Sequence, residues 1–170
     1  DYLLYLNKIH VDALLVADLG VFSFCRTWIP DMEIHISTQA NNTNWATVNA
    51  WKDLGAKRVV LAREMSMEEI RTIRKKCDVD LELFVHGAMC ISYSGRCLLS
   101  NYFTGRDSNR GNCAQSCRWK YSLVEETRPG KYFPIEEDER GTYIMNSKDM
   151  CLLSHLSDVI ETGVNSLKIE

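Results

Sequence analysis

The chain has 170 residues, 45% apolar and 25% charged, with a net charge of −3. That describes one globular domain, or part of one, with enough residues to bury a core. It excludes a uniformly basic nucleic-acid binder, and with no membrane-length apolar run and no leader pattern the expectation is a cytoplasmic protein. Seven cysteines point to metal or redox work. A secreted disulfide scaffold fits poorly, because the number is odd and the rest of the chain makes a core unaided.

Leu3, Leu6 and Ile9 continue an apolar helical stripe, and the chain closes inside a strand, so it reads as a fragment of a longer protein. A mostly apolar strand is predicted over Val11 to Asp18. Val21, Phe24, Cys25 and Trp28 follow at helical spacing, and Pro30 stops that helix. Met32 to Gln39 is the second strand. Trp45, Val48, Trp51 and Leu54 form the next helical face, closed by Gly55. Arg58 to Arg63 is the third strand. Ser66-Met-Glu-Glu69 is a capping box opening a helix to about Cys77. Leu81 to Gly87 is the fourth strand. Asp149 to Glu161 reads as a late helix capped by Gly163, and Ser166 to Glu170 as another strand.

Strands starting near residues 11, 32, 57 and 81, alternating with helices through short loops, predict a parallel α/β sheet. The alternation within strands favours a (βα)8 TIM-type barrel over a doubly wound sheet. His35, Ser37 and Gln39 share one side of their strand, as do Glu82, Phe84 and His86, whereas a sheet covered by helices on both faces wants both sides apolar. The organisation expected is barrel units over 1–87, a Cys-rich then acidic insertion over 88–145, and a final helix and strand over 146–170. An open arc of such a barrel has two free sheet edges, so the fragment is expected to be inactive and to self-associate.

Asp18, Gln39, Arg63 and His86 close successive strands and fall on one rim, where folds of this kind carry their chemistry. Any one of them is equally well an ordinary loop cap. His86, Glu82, Asp18 and His35 are the candidates for proton transfer. The strongest signal is Cys90, Cys97, Cys113 and Cys117, four thiols within 28 residues spaced C-x6-C-x15-C-x3-C. No rigid helix supplies that spacing, so a folded loop gathers them around zinc or an iron–sulfur cluster. The spacing differs from the CxxC of zinc ribbons, which tilts the reading to iron–sulfur. Cys151 is an alternative ligand, and Cys25 and Cys77 read as buried small hydrophobes. Residues 93 to 121 hold five basic residues (Arg96, Arg106, Arg110, Arg118 and Lys120) against Asp107 alone. They are interleaved with Tyr93, Tyr102, Phe103, Trp119 and Tyr121, so arginines for phosphates and rings for an unpaired base stand together. Packing of the rings onto the barrel rim explains them equally well. Val124 to Arg140, with Pro129-Gly130 and Glu136-Glu-Asp-Glu139, reads as a solvated loop or hairpin.

Glu82-x-Phe84-x-x-Gly87-Ala88-Met89-Cys90-x4-Gly95-x-Cys97-x-Leu99-Ser100 resembles the signature of the collagenase-like peptidase family U32 at every fixed position. The likeness extends to His35–Gln39, Asn109–Gly111, Cys117–Trp119, Asn146–Asp149 and Ser166–Glu170. It implies about strands four to eight of a barrel. Relatives include hydroxylases of a tRNA wobble uridine and of an rRNA cytidine, the RNA-modifying ones depending on prephenate, and a ubiquinone branch holding a 4Fe–4S cluster on the corresponding cysteines. By that likeness Cys90, Cys97, Cys113 and Cys117 would hold a cluster. Gln39, Arg63, Arg96, Arg106, Arg110, Arg118 and Trp119 would bind tRNA or rRNA, or a dicarboxylate such as prephenate. The competing expectation is a peptidase with a zinc or thiol site. No G-x-S-x-G or H-E-x-x-H accompanies it, although Cys90 or Cys97 with His86 is an imaginable dyad. A non-catalytic binding domain is the third.

Overall fold

Five of the strands form where apolar residues alternate with polar ones or run together. The computed structural model describes residues 1–90, 92, 96–119, 121–134 and 149–170. Glu136 to Glu139, Tyr93 and Lys120 therefore lie outside the described residues. In chain order the elements are α1 (Tyr2–Lys8), β1 (Ala13–Val16), α2 (Leu19–Trp28), β2 (Glu33–Ile36), α3 (Trp45–Asp53), β3 (Arg58–Val60), α4 (Met67–Lys76) and β4 (Asp80–Gly87). There follow α5 (Leu99–Thr104), β5 (Ser122–Val124), β6 (Tyr132–Pro134), β7 (Met150–Cys151), α6 (Leu156–Glu161) and β8 (Ser166–Ile169). The chain divides into two compact units, residues 1–87 with 151–170, and residues 88–150.

In the first unit β1, β2, β3, β4 and β8 lie side by side, every pairing between them parallel. Ile34, Ile36, Val59, Leu61, Leu81, Leu83 and Val85 point to one face. There they pack with Phe22 and Cys25 of α2, Val48 of α3, Ile70 and Ile73 of α4 and Val159 of α6. Burying each Ile or Leu contributes about 1.5–3 kcal/mol, so this face holds the unit together. The register aligns Leu15, His35, Arg58 and Asp80 across four strands, and Glu82 with Ser166 and Phe84 with Lys168. That second face is the polar one.

α2 forms where helical spacing placed it, but its inward stripe is Phe22, Cys25 and Ile29 rather than Val21, Phe24 and Trp28. Phe24 and Trp28 are exposed and stack on one another at 4.9 Å. The capping box of α4 is complete. Ser66 Oγ accepts from the Glu69 N–H, and the Glu69 carboxylate accepts from the Ser66 N–H and hydroxyl. The late helix is shorter than expected. Cys151 belongs to β7, Leu152 N–H donates to the Val85 carbonyl at 2.8 Å, and a 3-10 turn at Leu153–His155 precedes α6. Pairing with β4 captures backbone that periodicity alone assigned to a helix. Asn165 then pins β8: its side-chain oxygen accepts from Leu81 N–H at 3.0 Å and from Arg74 at 3.1 Å.

In the second unit α5 ends at Gly105, whose φ of +69° is left-handed. β5 and β6 form an antiparallel hairpin; of the stretch read as a solvated loop or hairpin, Val124 to Arg140, residues 135–140 lie outside the described residues. Among the residues of this unit whose burial is described, Ser100 and Ser116 are buried and no apolar side chain is.

Gly87 closes β4 at φ +132°, and a Cβ there would run into the Glu170 carbonyl oxygen and stand 2.9 Å from its carbon. Gly87→Ala is expected to destabilise the protein by about 2 kcal/mol or more in urea denaturation. Gly105→Ala, with nothing within 4 Å of its added Cβ, should cost less. The hydrogen bonds from Ser66 hold the Glu69 carboxyl below the usual glutamate range. A carboxyl lowered on folding contributes stability above its unfolded pKa and loses it as pH falls through the folded one. The stability gap between wild type and Glu69→Ala should therefore be widest near pH 7 and narrow on acidification below the ordinary glutamate range.

Candidate cofactor and substrate site

The polar face of the sheet centres on Glu82. Its carboxylate lies 3.4 Å from Arg58 Nη1, 3.5 Å from Lys168 Nζ and 3.0 Å from the Ser166 hydroxyl, and its side chain is 12% exposed. Arg58 also reaches Asp80 at 3.7 Å. Three strands, β3, β4 and β8, are thus tied through one carboxylate. Arg58, Ser166 and Lys168 were not singled out by sequence reasoning, yet their alternation with apolar neighbours was the available signal. Two cations on one buried carboxylate make a site that is either structural or poised for an anionic ligand.

The strand-end residues divide by role. Asp18 is the N-cap of α2, accepting from Val21 N–H at 2.9 Å. His35 Nε2 lies 2.7 Å from the Glu33 carboxylate. Gln39 sits in a short 3-10 turn, Thr38–Ala40, steadied by buried Asn42, whose amide donates to the carbonyls of Ser37 and Val60 at 2.9 Å each. Arg63 is 9% exposed, paired with Glu170, and its guanidinium carbon lies 3.7 Å from the Phe84 ring centroid. His86 is exposed at the end of β4.

The second unit holds Cys90, Cys97, Cys113 and Cys117, all as free thiols. Burial pushes the Cys117 thiol up. Charge on Cys90, Cys97 and Cys113 pushes it further, against the lowering by Arg118. The four sulfurs are therefore electrostatic neighbours. They are not a closed shell, for among the described residues no three His, Cys, Asp or Glu side chains converge as metal ligands. Two sulfurs accept backbone donors from two residues on: Leu99 N–H to Cys97 Sγ and Gln115 N–H to Cys113 Sγ, each 3.3 Å. Ser116 Oγ, next to Cys117 in sequence, is buried without a hydrogen-bond partner. Cys151 is exposed in the first unit, and Cys25 and Cys77 are buried there, their thiols pushed up by that burial.

The basic and aromatic residues also sort. Arg118 bonds Asp149 at 2.7 Å and the Met89 carbonyl at 3.5 Å, so it ties the second unit together. Arg106 Nε donates to the Asn112 carbonyl and side-chain oxygen at 3.2 and 3.0 Å. Arg110 makes only a surface contact with Asp107 at 3.6 Å, and Arg96 is exposed. Phe103 lies between Trp119 and Tyr121, ring centroids 6.0 and 5.8 Å away. Tyr121 donates its hydroxyl to the Ser116 carbonyl at 2.6 Å.

A sheet of sequential parallel strands, with helices on one face and an ion-paired opposite face, defines an α/β protein carrying a separate cysteine module. The model of peptidase family U32 matches residues 1–170, and the chain belongs to that family. It is 47% identical over its whole length to tRNA hydroxylation protein P1 of Bacillus subtilis, covering 40% of that protein. It is 42% identical to tRNA hydroxylation protein P of Escherichia coli, with 94% of this chain and 44% of that protein aligned. The chain thus spans less than half the length of these relatives. The solved U32 peptidase Mk0906 is similar in fold, with a TM-score of 0.55 and 19% identity over 99% of this chain and 58% of that one. No described helix is long and apolar enough to cross a membrane.

Glu82→Ala would leave Arg58 and Lys168 facing each other without their shared carboxylate. The expected loss is about 2–3 kcal/mol of unfolding free energy. Glu82→Gln, which keeps the Ser166 hydrogen bond, should lose less in the same calorimetric comparison.

Proposed function

We propose that this chain is part of an RNA-hydroxylating enzyme, acting on a tRNA wobble uridine or an rRNA cytidine in the cytoplasm, with a 4Fe–4S cluster held by Cys90, Cys97, Cys113 and Cys117. The carrying observation is the make-up of the second unit: four free thiols within 28 residues in a module where none of the apolar side chains of described burial is buried. Where the described side chains build no apolar core, metal–thiolate bonds supply a cross-link of another kind. The donor set fits a cluster. Backbone N–H groups are already aimed at the sulfurs of Cys97 and Cys113, and the Ser116 hydroxyl, without a partner among the described residues, is a spare donor next to Cys117 in sequence. A bound 4Fe–4S cluster supplies one-electron chemistry. The names of the relatives supply the RNA substrate class.

Strand order supports a barrel: all-parallel strands in sequence order, with helices on one side, are the arc of a (βα)8 fold. The Glu82 face is then its lumen, and Glu82, His35 and His86 are the groups there that can hold or move a proton. Asp18, capping α2, is spoken for in this reading. Prephenate is the co-substrate, and arginines such as Arg63 suit its carboxylates.

Iron, acid-labile sulfide and zinc should be measured on full-length protein purified without oxygen. Iron and sulfide should be about four each per chain, lost in Cys90→Ala and Cys113→Ala. A deletion strain should lack a hydroxylated uridine or cytidine, restored by wild type and not by those variants. One zinc with no sulfide and an unchanged nucleoside profile would reject this reading in favour of a peptidase.

A further inference from the structure

The four described aromatic rings near the cysteines do not share one job. Phe103 is flanked by Trp119 and Tyr121, and Tyr121 is fastened by its hydroxyl to Ser116. Tyr121 thereby helps pack the module. Tyr102 is different. It meets only the edge of Phe103, in a T-shaped contact at 5.2 Å, and is 82% exposed. Trp119 is 46% exposed at the other side of Phe103. A large ring held from beneath and left open above costs solvation without adding stability, unless another planar group covers it.

Charge around that ring favours one kind of partner. Gly105 stops α5 two residues after Phe103, and the chain turns through Arg106 and Arg110. Arg106 is held by Asn112, a neutral partner, and among the described residues no carboxylate pairs with it. Arg110 is 81% exposed, and its surface contact with Asp107 at 3.6 Å neutralises little. Arg96 is exposed just before α5. Exposed rings between arginines are the pattern that holds unpaired nucleotides: each base has a face to stack, and each phosphate meets a guanidinium.

We propose that Tyr102, with Trp119 and with Arg96, Arg106 and Arg110 of the same unit, forms a docking shelf for single-stranded nucleotides of the RNA substrate, Tyr102 stacking on an unpaired base. This rests on the RNA reading above and adds where the RNA is gripped. The shelf takes loop nucleotides and not a duplex, whose bases offer no free face.

The test uses full-length protein and an anticodon stem-loop RNA, with binding followed by anisotropy at several salt concentrations. Tyr102→Ala, at a surface position where folding tolerates it, should weaken binding on the order of tenfold with the salt dependence retained. Tyr102→Phe should restore it. Arg110→Gln should weaken binding at low salt and reduce the slope of log affinity against log salt by about one. Wild-type affinity in Tyr102→Ala, or equal affinity for a blunt duplex, would overturn the shelf while leaving RNA hydroxylation standing. A wild-type protein that neither binds the stem-loop nor restores the hydroxylated nucleoside would overturn both.

Discussion

The polar face of the first unit depends on one carboxylate. A parallel sheet is stable when both faces are covered, yet α2, α3, α4 and α6 all pack on one. The other face carries Arg58, Asp80, Glu82 and Lys168. Left unpaired, Arg58 and Lys168 would repel across neighbouring strands. Glu82 joins them, and its register between Val60 and Ser166 makes β4 the strand that both neighbours share. The same strand is where the chain leaves for the second unit after Gly87 and where it returns, through the Leu152–Val85 and Glu170–His86 hydrogen bonds. A strand fixed on both sides accommodates a long excursion, because closing a longer loop costs only about 0.6 kcal/mol per doubling of its length.

The close approach at Gly87 belongs to the same constraint. The Phe84–Lys168 pair is followed by a register shift that lets His86 face Ile169 and brings Glu170 onto Gly87. Only a residue without a Cβ allows that backbone contact at positive φ. The family signature therefore combines two kinds of residue. Glu82, Phe84 and Gly87 hold a strand junction, whereas Cys90 and Cys97 carry candidate chemistry.

How much of this was legible follows from which forces are local. The strands, α2 to α4 and the Ser66–Glu69 cap were readable because periodicity and capping act within a few residues. The polar face was readable from His35 and Glu82, but its centre was not. Arg58 and Lys168 meet on one carboxylate only through strand register, a non-local fact. Asp18 was readable as a rim residue or an ordinary cap, and it is the N-cap of α2, accepting from Val21 N–H. The helix drawn from Asp149 lost its first turns to β4 for the same non-local reason. α5 was missed because none of its apolar side chains is buried, leaving no stripe to read, although Gly105 marks its end.

Placing the thiols on a module without a buried apolar face has a physical consequence. The two buried side chains described there are serines: Ser100 Oγ accepts from Ala114 N–H at 2.9 Å, and Ser116 Oγ has no partner. Its described part gains little from the hydrophobic effect and leans on hydrogen bonds and the Arg118–Asp149 pair. Under the cluster reading, loading and folding of residues 88–150 are then one equilibrium, while the first unit keeps a core of its own. Oxidative loss of the cluster would loosen the cysteine module and leave the sheet intact. The Tyr102 shelf lies on that same module, so the RNA grip would weaken along with the redox centre.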